Sequence, residues 1–334
     1  MPQGLLRNLI TDVDGLRIGN AHDDIARTGV TVILPDTACA AAMDVRGGAP
    51  GTRESDALSP LGLVEKIDAL VLSGGSVYGL EAASSVTAWL GAQGRGYAMR
   101  NSNVVAPIVP AAILFDLANG GRKDWGERPP YATLGRAAVI SAATDFVLGN
   151  SGAGRGARAG LIKGGLGSAS ARSEAGYTIG ALAAVNCFGS VLMPGTGCFW
   201  AWAFERDNEF GGIAPPPHPI GDLDLPADTK LGAFARAHTT LAVVATDAEL
   251  TRIELQRVAI MAQDGLARAI RPVHTPFDGD VVFALSTGVR KITASREFAV
   301  MNLGALSADC LARAIARGIY EAKSTYDLSA YRDR

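Results

Sequence analysis

HTTLAVVATDAELTRIELQRVAIMAQDGLARAI, residues 238–270, carries in one stretch the marks of a buried strand and of the helix that follows it. Thr239 to Thr246 is rich in threonine and valine, which suit pleated backbone. Its LAVVA core lacks the polar alternation of a strand with one wet face, so it belongs inside a sheet that is covered on both sides. Thr251 and Glu254 stand at capping-box spacing, and Leu255, Val258, Ala259, Ala262 and Leu266 then repeat at helical intervals, with Pro272 beyond the end. A buried strand running into a one-faced helix implies layers of sheet and helix.

Downstream, HTPFDGD (274–280) turns into the strand VVFALST (281–287), and Ser307 is placed to cap a last helix through Leu311, Ile315 and Ile319. Upstream, residues 205–229 are rich in proline and acid, and three consecutive prolines cannot join a central sheet, so the segment reads as linker-like, followed by Leu231 to Arg236. Ile179 to Val185 and Val191 to Met193 read as two strands joined by a turn through Asn186, Phe188 and Gly189. Residues 149–170 are almost all small, which allows close backbone approach. They are no phosphate loop, since Lys163 is followed by glycine rather than Ser or Thr. In the first third, Gly29 to Leu34 and Ile67 to Leu72 read as strands, the second ending in SGGSVYG (73–79). A helix from Leu80 to Leu90 follows, with Gly91 and Gly94 as stops.

With 334 residues, 48% of them apolar, 19% charged and 40 glycines, the chain suits an α/β protein with many tight turns, in one large domain or two modest ones. Its 31 basic and 33 acidic residues are interspersed and sum to −2, which offers neither a nucleic acid nor an anionic membrane an extended cationic surface. Cys39, Cys187, Cys198 and Cys310 are scattered, and the four histidines form no metal-ligand pattern, so a reduced state without metal or cofactor is expected. MPQGLLRNLITDVDG does not read as a secretory signal, and no run of about 20 uncharged apolar residues is present, which makes a cytoplasmic location the expectation.

Several side chains could do chemistry, each with an ordinary alternative. Thr239 is a favoured strand residue; were the bond before it cut, its own α-amino group, with a pKa of about 7.7–8.0, could activate its hydroxyl. Asp278 and Asp280 flank a glycine at a turn, yet two carboxylates there could also hold a lysine or ammonium. Lys163, the one lysine of the glycine-rich stretch, is either solvated or that partner. Asn186 fits a turn and equally an oxyanion donor, and Tyr78 fits a core aromatic or a phenol donor.

Taken together and in order, DVRGGAPGTRE (44–54), LVLSGGSVYGLEAA (70–83), IVPAAILFDL (108–117), GAGRGARAG with KGGLGSAS (152–170), AVNCFGSV (184–191), HTTLAVVATDAELT (238–251) and HTPFDGDVVFALST (274–287) resemble the P1 family peptidases. That family includes L-aminopeptidase and D-esterase/amidase enzymes, β-aminopeptidases and hydrolases of nylon oligomers. The resemblance implies an αββα sandwich, related to ornithine acetyltransferase-like and N-terminal-nucleophile hydrolases, spanning residues 1–334 as a single catalytic domain. It implies self-cleavage between His238 and Thr239 into chains 1–238 and 239–334, with Thr239 as the nucleophile of an aminopeptidase or amidohydrolase. Lys163 would stand beside the nucleophile and Asn186 in the oxyanion site. Asp278 and Asp280 would orient the new amine and Lys163, and Tyr78 would line the pocket. Small peptides, amides or esters with a free amino terminus are the substrates implied, and homotetramers the assembly. Relatives commonly carry Asn or Gly before the scissile bond, where this chain has His238. Two alternatives stay open: an acyltransferase of the ornithine acetyltransferase type, and an uncleaved relative without catalysis.

Overall fold

The strand Thr239–Ala248 is buried at every one of its ten positions. Successive side chains point to opposite faces, so Leu241, Val243 and Ala245 enter a core shared with a second sheet, while Ala242 and Val244 meet helices. The computed structural model describes residues 5–218, 228–230, 238–293, 295–325 and 327–334. Leu231 to Arg236 and residues 219–227 of the linker-like segment lie outside them.

In chain order the strands begin with β1 (Leu16–Asp23), β2 (Thr28–Pro35), β3 (Cys39–Val45), β4 (Thr52–Arg53), β5 (Lys66–Ile67) and β6 (Leu70–Ser73). They continue with β7 (Tyr97–Ala98), β8 (Val105–Ala106), β9 (Ala111–Ile113), β10 (Arg158–Ala159) and β11 (Ile162–Lys163). The last four are β12 (Gly165–Arg172), β13 (Thr178–Asn186), β14 (Thr239–Ala248) and β15 (Val281–Arg290). The α-helices are α1 (Glu81–Ala92), α2 (Tyr131–Ile140), α3 (Arg252–Ala269) and α4 (Arg296–Tyr320). One sheet runs β1-β2-β6-β9-β4 and the other β12-β13-β14-β15-β3-β5.

Between the sheets, Ile18, Ile33, Leu70 and Leu72 face Leu182, Leu241, Val243 and Phe283. Outside the first sheet, α1 and α2 bury Val86, Leu90 and Leu134 on Val30, Val32 and Val71. Outside the second, α3 and α4 bury Leu255, Leu266, Leu311 and Ile315. Helix, sheet, sheet, helix is the αββα sandwich. By length and composition α4 could cross a bilayer, yet it is mostly buried, packed on α3 and on strands of the second sheet.

The central strand and the Thr251 cap form as their local sequence dictates: Thr251 N donates to Glu254 Oε2 at 2.8 Å, and Glu254 N returns to Thr251 Oγ1 at 3.3 Å. Four readings change. The hairpin partner of β13 is β12, built from the small-residue stretch, whereas Val191–Met193 forms no strand and makes only an isolated bridge from Leu192 to Phe199. Close packing is the reason, because a Cβ at Gly167 would stand 1.9 Å from the Ala314 carbonyl of α4. Ser307 lies inside α4, buried, and the helix begins after Ser295. Ile67 to Leu72 divides between the two sheets at Asp68, whose carboxylate holds Ile108 N at 2.9 Å. The linker-like segment is docked over its first part: Phe210 is buried against Phe199, and Glu209 Oε1 meets Arg313 Nε at 2.5 Å.

Candidate active site

Antiparallel pairing of β13 and β14 sets Asn186 directly opposite Thr239 at one end of the second sheet. Thr239 is buried, and its hydroxyl donates to the carbonyl oxygen of His238 at 2.5 Å. The same oxygen receives the Gly279 N–H at 2.7 Å. One carbonyl therefore carries a polarising backbone donor with a hydroxyl beside it, the arrangement in which that hydroxyl can attack and the resulting oxyanion can be held. Residue 279 must be small for this, since a Cβ there would lie 2.6 Å from Thr239 Oγ1 and 2.7 Å from the Ala49 carbonyl.

Asp278 and Asp280 flank that glycine and are both buried. Asp278 accepts from Phe188 N at 3.1 Å and from Thr275 N and Oγ1 at 3.0 and 2.5 Å. Burial first, and the neighbouring Asp280 second, hold its carboxyl above the ordinary carboxylate range. Asp280 accepts from Thr240 N at 2.8 Å and from His274 N at 3.1 Å, and its Oδ2 lies 2.9 Å from His274 Nδ1. Asp280 thus fixes the backbone just after Thr239, and Asp278 fixes Phe188 and its own turn at Thr275.

Neither carboxylate hydrogen-bonds Lys163 among the described residues. The buried Lys163 amine instead donates to the carbonyls of Gly154, Ala157 and Gly164 at 3.0, 2.9 and 2.7 Å, and burial pushes its pKa down to about 7. A second buried amine, Lys230, donates to Asn186 O at 3.1 Å and to Asn186 Oδ1 at 3.4 Å, and burial lowers it to about 7 as well. Asn186 Oδ1 also accepts the Arg158 N–H at 3.0 Å, while Nδ2 donates to Phe115 O at 3.1 Å, so the orientation of the amide is fixed from both ends.

Lys163, Asn186, Lys230, Arg158, Phe115 and His238 share the wall of a cavity of about 560 Å³. Thr239 does not line it, whereas His238, the residue before it, does. Tyr78 is not among the lining residues either; the residue is 48% exposed and its ring stands edge-on to Trp125 at 6.0 Å. Lys230 lies in none of the motifs that carry the resemblance, and Arg158 lies in GAGRGARAG, where nothing in the run singles it out. The FDGD turn marked the position of Gly279 without its function. Among the described residues, no group of three or more His, Cys, Asp or Glu is gathered to hold a metal.

The αββα sandwich thus sets a buried strand-end hydroxyl against the carbonyl that precedes it. The chain matches the model of peptidase family S58 over residues 8–331 and belongs to that family. It is 45% identical to an uncharacterized aminopeptidase of Mycobacterium tuberculosis, covering 98% of this chain and 97% of that protein. It is 29% identical to the 6-aminohexanoate-oligomer endohydrolase of a Kocuria species, over 83% and 74% of the two chains. Among solved structures, a Burkholderia β-aminopeptidase superposes with a TM-score of 0.69 at 22% identity, over 99% of this chain and 91% of that one. The L-aminopeptidase D-Ala-esterase/amidase of Ochrobactrum anthropi, described as a variant of the Ntn-hydrolase fold, does so with a TM-score of 0.69 at 20% identity, over 97% and 89%. The protein is a peptide- and amide-bond hydrolase.

Proposed function

We propose that the chain matures by cutting itself between His238 and Thr239 and then hydrolyses small peptides, amides or esters through an acyl-enzyme on Thr239. The observation that carries this reading is the hydroxyl of Thr239 at 2.5 Å from the His238 carbonyl oxygen, which Gly279 N–H already polarises. In the first act Thr239 Oγ attacks the His238 carbonyl carbon, the C–N bond breaks, and the acyl group passes from nitrogen to oxygen as an ester. Water then opens the ester, leaving a carboxylate on His238 and a free amine on Thr239. In the second act Oγ attacks the substrate carbonyl, its proton passes to that amine, and the leaving group departs with a proton. A second water frees the acid.

The geometry supports a division of roles. Asp280 and Asp278 hold the backbone at Thr240 and at the 275–278 turn, Asn186 presents its amide, and Lys163 and Lys230 supply amines poised between charge states near neutral pH. Removal of His238 from the path would expose Thr239 to the cavity. Four free, buried cysteines accord with a cytoplasmic location, which we also propose, with a homo-oligomer as the working assembly. Intact-mass measurement tests the reading: the wild type should yield fragments of 1–238 and 239–334, and Thr239→Ala should stay whole and inactive. A wild type that remains full length yet hydrolyses peptides at full rate overturns it.

A further inference from the structure

The cavity beside Thr239 is lined by five basic side chains and three acidic ones, and among the described residues Arg158 is the one of its three arginines without an ion pair. Arg27 meets Asp327 at 2.9 Å and Arg155 meets Asp24 at 2.7 Å. The Lys163 amine is spent on three carbonyls and Lys230 on Asn186. Arg158 is different. Its Nε donates to Gly160 O at 2.9 Å, and its two terminal nitrogens make no hydrogen bond or ion pair among the described residues. Its backbone N–H is fixed on Asn186, the residue opposite Thr239, so Arg158 is rooted beside that strand end and lines the cavity.

The acids tell the complementary story. Asp24 and Asp327 are engaged by the two paired arginines, and the buried Asp116 accepts from Thr28 Oγ1 at 2.7 Å and Gly75 N at 2.8 Å. Each lining carboxylate already has at least one donor, while at Arg158 a planar fork of donors stands open for a carboxylate.

We infer that the cavity takes a carboxylate carried by the substrate in addition to the bond being cut, with Arg158 as its partner. The substrates are then small amides bearing an acid group, such as short peptides with a free carboxyl end, rather than amides without one. This rests on the reading that the cavity is where substrate is cut.

Matched substrates test it on the processed enzyme. For the leaving half these are Ala-Gly, D-Ala-Gly and β-Ala-Gly against their carboxamides; for the acyl half, glutaryl p-nitroanilide against butyryl p-nitroanilide. In one arm kcat/KM should favour the carboxylate by about ten- to hundredfold, the range of a hydrogen-bonded charge. Arg158→Met should abolish that preference without lowering the melting temperature, and Arg158→Lys should keep part of it. Equal rates within every pair, or a preference that survives Arg158→Met, overturn the inference.

Calorimetry separates this inference from the catalytic reading. N-acetylglycine should bind the wild type and neither N-acetylglycinamide nor Arg158→Met should reproduce that binding, even if no substrate in the panel is cut. Failure of N-acetylglycine to bind the wild type overturns the inference. So does binding to uncut Thr239→Ala alone, because Arg158 would then serve the chain's own His238 carboxylate.

Discussion

At Gly279 a missing side chain sets the distance between a hydroxyl and the carbonyl it faces. Gly279→Ala would force a methyl group into the 2.6 Å gap before Thr239 Oγ1, displacing either that hydroxyl or the N–H that holds the His238 oxygen. Since ångström-scale misplacement costs on the order of a hundredfold in rate, fragment formation followed by mass spectrometry should slow by that order in this variant. Lys230 yields a pH prediction. Its pKa falls from 10.5 unfolded to about 7 folded, so between those values the unfolded state binds more protons and stability rises with pH. From pH 7 to 9 the melting temperature of the wild type should therefore climb more steeply than that of Lys230→Met. Thr239, Asn186 and the acidic pair were legible in the sequence because they sit in recognisable runs. Lys230 was not, and Arg158 stood inside the GAGRGARAG run with no sign of its role, because what gives both meaning is Asn186, which lies 44 and 28 residues away and reaches them only through the fold. Tyr78 shows the converse, a conspicuous residue whose ring the fold turns toward Trp125.

Among the elements, those whose signals are local form as written. Strand β14 and helix α3 are specified by their own apolar spacing and by Thr251, and Thr251→Ala should cost about 1 kcal/mol in urea unfolding through loss of the cap. Strand β12 is specified from outside. Its glycines and serines have little strand preference of their own, and they become a strand because β13 pairs with them and α4 lies against them. Gly167→Ala, whose methyl group would meet the Ala314 carbonyl, should destabilise by about 1–3 kcal/mol or more through overpacking, read in the same unfolding assay. Helix α4 misled for a related reason: Ser307 has the chemistry of a cap, but the helix is set by burial of Leu303, Leu311 and Ile315 on both sides of it.

Across the whole molecule, Glu209 joins the proline-rich side of the chain to the last helix. It meets Arg313 at 2.5 Å and Arg317 at 3.3 Å, and Asn8 donates to it at 2.5 Å. Glu209→Ala would leave the buried Arg313 short of its countercharge, a loss of about 3–5 kcal/mol. The second sheet makes the same connection on a larger scale. In its order, β14 and β15 lie between β13 on one side and β3 on the other, so residues after 238 are flanked by strands from before it. A cut at that bond would give two polypeptides whose meeting needs no diffusion and whose ratio is fixed at one to one by a single reading frame. Their first assembly, within one chain, would be indifferent to dilution, and each piece alone would lack the strands on which the other's pair. The two pieces made separately should therefore fail to rebuild the enzyme on mixing, so that the uncut precursor is the sole route by which the sheet is threaded.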